Sequence, residues 1–262
     1  MSENLAYVLA KVQFGEITES KFNEAADSVQ EELRKIYPIK NDNDKIITFQ
    51  FDIPKQDSQG QQFSQSSQKI LNLSSASKDW GVRIARDNVI VQTKNYEGFE
   101  KFKSRIEGLI RVLADKFGIY HTSFIGFRFI NNYELDEKDH FSKIYKRQEF
   151  LQPDLRLDGL LLAGSNHQAR YQSGKYYINI NSGVGIDGQK LAGDLGDLPV
   201  DIGFQPTDTL PGVWAHLDID AVYHKTDGMD EYDLNDVMLK FKDLRNLANQ
   251  VYSEITYAKI ST

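Results

Sequence analysis

Eight apolar residues near the end of the sequence, Leu234, Val237, Phe241, Leu244, Ala248, Val251, Ile255 and Ala258, step alternately by three and four positions. That spacing places them on one face of a long helix. A helix with such a stripe needs a surface along its length, and the rest of the fold has to supply it. The ordinary solution is the protein's own sheet; the other is a dimer seam against a second copy. Met238, Leu247 and Tyr252 widen the apolar arc beyond a strict two-position seam and favour the sheet.

The preceding sequence contains the strands for such a sheet. "AYVLAKVQFGEI" is β-branched and aromatic, and it leads into Phe22, Ala25, Ala26, Val29, Leu33 and Ile36 at helical spacing, closed by Tyr37-Pro38. Short alternating segments follow in "DKIITFQFDI", "QKILNLSS" and "WGVRIARDNVIVQT". Between the first two, "PKQDSQGQQFSQSS" offers little to bury and reads as an exposed loop. Asp87-Asn88 reads as a hairpin turn because both residue types tolerate positive φ. A second helix carries Phe99, Phe102, Ile106, Leu109, Leu113 and Phe117 and stops at Gly118.

The order then begins again. It runs through a strand in "SFIGFRFINNYEL" with Asn131-Asn132 read as a turn, a helical stretch near 138–148, strands in "LDGLLLAG", "HQARYQ", "KYYINI" and "VWAHLDIDAVYH", and the final helix. The fold class read from this pattern is α+β, with antiparallel sheets packed against long amphipathic helices. Its halves are 1–118 and 119–262, as a two-fold repeat of strand, helix, strands, helix or as one intimate domain. Lys11 and Arg128 occupy the same slot in the first strand of each half.

Composition narrows the class further. The 262 residues carry 31 basic and 38 acidic side chains, a net charge of −7, and no long block of like charge. A nucleic-acid or anionic-membrane surface therefore lacks electrostatic support at the level of the whole chain. Cysteine is absent, which removes disulfides and thiolate chemistry. The opening residues lack the pattern of a signal peptide, and no apolar run is long enough to span a bilayer, so the expectation is a soluble, cytoplasmic protein.

The closest approach to chemistry is "AHLDIDAVYH", where His216, Asp218, Asp220 and His224 share one strand face and Leu217, Ile219, Ala221 and Tyr223 the other. Two readings stand for the polar face. It could hold a divalent ion through imidazole and carboxylate, making a metal-dependent hydrolase or nuclease of His216, Asp218 and Asp220 with Arg128 steadying negative charge. Alternatively it is the polar side of a sheet, with a bidentate Arg128–Asp218 pair accounting for an arginine inside "FIGFRFIN". The second is the more economical, and neither a metal nor a cofactor is expected. Gly183, Gly185 and Gly188 match GxGxxG, but the Gly- and Pro-studded sequence after them opens no helix and reads as a glycine-rich loop. His121, His140 and His167 stand alone, "DGMDEYDLND" lacks the pattern of an EF-hand, and Asp230 or Asp233 suits the N-cap of the last helix.

Three blocks, "LAYVLAKVQFGEI", "VIVQTKNYEGFEKFKSRIEGLIRVLADKFGIYHTSFIGFRFINNYEL" and "NLANQVYSEITYAKI", resemble, in the same order, those of a sporadically distributed family of uncharacterised bacterial proteins of similar length. Thr93, Tyr96, the run Gly126 to Asn131 and "LDID" carry the likeness; the stretches near 56–68 and 183–212 depart from it. The resemblance implies an accessory gene of the mobile or defence type and no catalytic set. The leading functional expectation is a non-enzymatic protein-binding or regulatory protein, of antitoxin, immunity or adaptor type, with a protein partner or a homodimer.

Overall fold

In the computed structural model the described residues are 4–41, 45–52, 62–135, 143–150, 163–186 and 212–257, with Gly159 and Leu195. Strand β1 (Leu5–Phe14) is followed by helix α1 (Glu19–Leu33). Then come β2 (Ile39–Lys40), β3 (Lys45–Asp52), β4 (Gln62–Lys69), β5 (Leu71–Ser74), β6 (Trp80–Ile84), β7 (Asn88–Thr93) and helix α2 (Phe99–Phe117). The second half supplies β8 (His121–Leu135), a 3-10 turn at Gln148–Phe150, β9 (Gly164–Ser173), β10 (Tyr176–Ile186), β11 (Val213–His224), β12 (Asp230–Glu231) and helix α3 (Leu234–Ile255).

The main sheet runs β2-β5-β6-β7-β1-β8-β11-β10-β9, with β12 beside β8, while β3 and β4 form a separate ribbon. Every pairing in both is antiparallel. The fold class expected from the sequence is therefore the one observed, and the two halves are joined through the β1–β8 ladder into one sheet. Each half runs outward from its first strand through a three-strand meander, β7-β6-β5 on one side and β11-β10-β9 on the other.

One face of the sheet is covered by helices, and the register shows why. Ala10, Phe127, Ala221 and Ile178 lie in one row across four strands, and Val8, Phe129, Ile219 and Ile180 in the next. Small residues on either side of Phe127 leave room for its ring to meet Phe99 and Phe102 of α2 and Phe241 of α3, at centroid separations of 6.1, 5.3 and 5.9 Å. Phe22 stacks on Phe117 at 5.3 Å, tying α1 to α2. The stripe of α3 is buried at Val237, Phe241, Leu244, Ala248 and Ile255, with Met238 and Tyr252 beside it. Val251 is half-buried, and Ala258 lies outside the described residues.

Caps and ion pairs set the ends of these helices. Thr18 caps α1, Gly118 ends α2 at φ 69°, and Asp233 caps α3 by accepting from the amides of Asn235 and Asp236 at 2.7 and 3.1 Å. Asp230 has a different task. It accepts from Tyr223 and from Lys240 and Lys225 at 2.9 and 3.0 Å, clamping α3 to β11. Burial alone would raise its pKa, but these donors outweigh burial and hold the carboxyl well below the usual carboxylate range.

Several local expectations are corrected. Helix α1 stops at Leu33, leaving Ile36 exposed while Tyr37 enters the core. Residues 62–67 of the expected Gln- and Ser-rich loop belong to β4, paired with β3; 53–61 lie outside the described residues. The β6–β7 turn needs no positive φ: among the described non-glycine residues only Lys78 has one. Asn131 and Asn132 continue β8 instead of turning, because β11 supplies an unbroken ladder opposite them. Gly183 and Gly185 lie inside β10, and Gly188 is outside the described residues. Of the helical stretch expected near 138–148, residues 143–148 are described and hold no α-helix, while 138–142 and most of 157–164 lie outside the described residues.

Candidate functional site

The face of the sheet away from the helices is polar because alternation puts its charged residues there together. In register, Leu9, Arg128, Asp220, Asn179 and Arg170 form one row across β1, β8, β11, β10 and β9. The neighbouring row is Tyr7, Ile130, Asp218, Asn181 and Gln168. Arg128 reaches diagonally from the first row to the second. Its Nε donates to Asp218 Oδ1 at 2.9 Å and its Nη2 to Oδ2 at 2.6 Å, a bidentate pair with side chains 15% and 7% exposed.

Further out the row continues as a relay. Arg170 Nε donates to Asn179 Oδ1 at 2.7 Å, and Asn179 Nδ2 donates to Asp220 Oδ2 at 3.1 Å, which fixes the orientation of the amide. The Arg170 guanidinium also lies 4.8 Å from the centre of the Tyr177 ring. Arg128, Asp218, Asp220, Asn179, Gln168 and Arg170 line a groove of about 480 Å³ on this face.

His216 is drawn into the sheet between Gly183 and Asn132. Burial lowers its imidazole pKa from the ordinary 6.5, and the carboxylate of Asp218 offsets this only in part. His224 packs edge-on against Phe124 at 5.7 Å, and Asp220 is engaged by Asn179. Among the described residues no three His, Asp or Glu side chains converge closely enough to hold a metal ion. Both oxygens of Asp218 are already committed to Arg128. The polar strand face therefore serves as a cross-strand ion pair flanked by a hydrogen-bonded relay.

The first glycine of the GxGxxG match serves the sheet as well. A Cβ on Gly183 would lie 2.0 Å from the Ser165 carbonyl oxygen, so only glycine lets β9 approach β10 there.

What the sequence does not disclose is that β9 is an edge. It pairs with β10 over ten consecutive residue pairs without a bulge, and among the described residues no strand pairs on its other side. Its residues are exposed or half-exposed from end to end. The turn joining it to β10 consists of Gly174 and Lys175, with φ +59° at Gly174 and no positive φ at Lys175, the pattern of a type II′ hairpin. Ser173 and Tyr176 are then the hydrogen-bonded closing pair, so by alternation Tyr171, Ala169 and His167 bond inward to β10. The N–H and C=O groups of Gln168, Arg170 and Gln172 point outward from the sheet.

On the helix side of the same edge, Tyr171, Tyr176, Ile178 and Leu247 line a second, mainly apolar groove of about 400 Å³, with Asp243 at its margin. Tyr171 itself is 57% exposed. The edge is thus flanked by a polar groove on one face and a tyrosine-rich one on the other.

Compared with known proteins, the chain matches no protein-family model, and no curated protein matches it.

Two outcomes are expected at this site. Replacing Arg128 by Met leaves Asp218 charged and buried, and should cost about 3–5 kcal/mol in urea unfolding; the double variant Arg128→Met, Asp218→Leu should recover most of that. Additive losses in the double variant would show that the two side chains do not act as a pair. The second outcome concerns His216. The unfolded chain protonates this imidazole below 6.5 while the folded chain resists, so stability should fall as the pH drops from 6.5 and be flat in this group above it. His216→Gln should remove that slope between pH 6.5 and the carboxylate range; an identical slope in both proteins would assign it to other groups.

Proposed function

We propose that the protein is a binding module that captures an extended segment of a partner protein by adding it as a further strand along β9. The observation that carries this reading is the ten-residue edge of β9, uninterrupted by proline or bulge and exposed or half-exposed along its length. Edges of this kind are ordinarily blunted, because their outward N–H and C=O groups template another strand. The opposite end of the sheet is handled in the ordinary way, with β2 reduced to Ile39–Lys40. Strand addition draws affinity from main-chain hydrogen bonds and specificity from grooves that take alternate side chains, and β9 is flanked by one groove on each face.

The resemblance to a sporadically distributed bacterial family supports placing this activity in an accessory role, as an adaptor or immunity factor of a mobile or defence cassette. No helix among the described residues is long and apolar enough to cross a membrane.

A photo-crosslinking amino acid placed at Gln172, in cells expressing the protein, should give one adduct of discrete mass. The same group at Lys103 on α2 should give none, and Gln168→Pro, which removes an outward N–H, should abolish the Gln172 adduct. Matching adducts at both positions, or a Gln172 adduct that survives Gln168→Pro, would contradict strand addition.

A further inference from the structure

From the chemistry of the edge we infer the kind of segment it takes: a strand in which acidic and apolar side chains alternate, the acidic ones on the Arg170 face and the apolar ones in the tyrosine groove. This inference rests on the strand-addition reading and adds to it the identity of the side chains.

The first support is charge. From 164 to 186 the sequence carries Arg170 and Lys175 and no acidic residue, in a chain whose net charge is −7. The carboxylates that line the polar groove with Arg170 are engaged elsewhere: Asp218 accepts from Arg128 and Asp220 accepts from Asn179. Arg170 spends its Nε on Asn179, and its guanidinium stands at the rim of the polar groove where it meets the edge. Directly opposed residues on neighbouring strands approach to about 5 Å, so a carboxylate opposite Arg170 gains a cross-strand ion pair and a lysine there meets like charge.

The second support is the alternation of the two faces. A residue of an added strand that points to the Arg170 side has neighbours that point to the other side, toward Tyr171, Tyr176 and Leu247. That surface is apolar with phenolic rims and suits an aliphatic or aromatic side chain. The two faces together therefore select a two-residue period of acid and hydrophobe.

The same charges argue against a second copy of this chain as the occupant. Antiparallel self-pairing of two β9 edges about their middle brings the two Arg170 side chains onto neighbouring positions with no acidic residue of either β9 to answer them. A partner of opposite charge does not carry this cost.

The test uses the full chain and fluorescein-labelled ten-residue peptides, one alternating glutamate with valine, one alternating lysine with valine, and a third identical to the first but N-methylated at every residue. In fluorescence anisotropy the glutamate peptide should bind about tenfold or more tightly than the lysine peptide, weakening as salt is raised. Arg170→Glu should reverse the order, and the N-methylated peptide should fail because it cannot complete the ladder. Equal binding of the glutamate and lysine peptides, with loss on N-methylation, would overturn the acidic preference and leave strand addition standing. Equal binding with and without N-methylation, or no binding of any peptide, would overturn both. Because the peptides carry the decisive comparison, the result does not depend on how well the Arg170→Glu variant folds.

Discussion

The antiparallel ladder between β1 and β8 is the constraint on which the rest of the structure depends. It pairs Val8 with Phe129, Ala10 with Phe127 and Val12 with Ile125, so the apolar rows of the two halves become continuous. A continuous apolar face is what α2 and α3 require for their stripes, and Phe127, between the two helices, is where both find it. Had the halves been separate, each would have exposed its first strand, and the long stripe of α3 would have lacked part of its bed on β8.

The same ladder decides what happens on the opposite face. With period two, everything not facing the helices is displayed in register, and this gathers Arg128, Asp218, Asp220, Asn179 and Arg170 from four strands. A buried guanidinium and carboxylate contribute little net stability over a well-packed apolar pair, because each loses its hydration. Their effect lies in register. A one-residue slip of β11 against β8 would turn Asp218 toward the helices and strand both charges, so the pair penalises that misalignment.

Much of this was legible in the sequence, and the illegible parts share a cause. The helical stripes and the strand alternation reported the helices and the α+β class directly. The Arg128–Asp218 pair could be inferred because each residue, set in an apolar strand, needs a counterpart. The errors arise where tertiary pairing overrides local propensity. Asn131-Asn132 and Gly183 carry turn-like signals yet lie in strands, because β11 and β9 supply ladders that those signals do not reveal. The Gln- and Ser-rich residues of β4 bear no strand pattern and are paired by β3. Lys240 sits on the apolar side of α3 for a comparable reason, its partner Asp230 being distant from the helix stripe in any sequence plot. The status of β9 was beyond reach altogether: whether a strand is an edge is a property of sheet order, and "GSNHQARYQS" reads the same in the middle of a sheet as at its margin.

Strand addition requires that edge to be open in the free protein, and backbone amide hydrogen exchange followed by NMR tests this most directly. The hairpin geometry requires a two-residue rhythm along β9: the amides of Gln168, Arg170 and Gln172 should exchange rapidly, while those of Ala169 and Tyr171, bonded to β10, should be protected by orders of magnitude. Protection of Arg170 equal to that of Ala169 and Tyr171 would mean that the outward side of β9 is already satisfied, and would contradict its use as a docking strand.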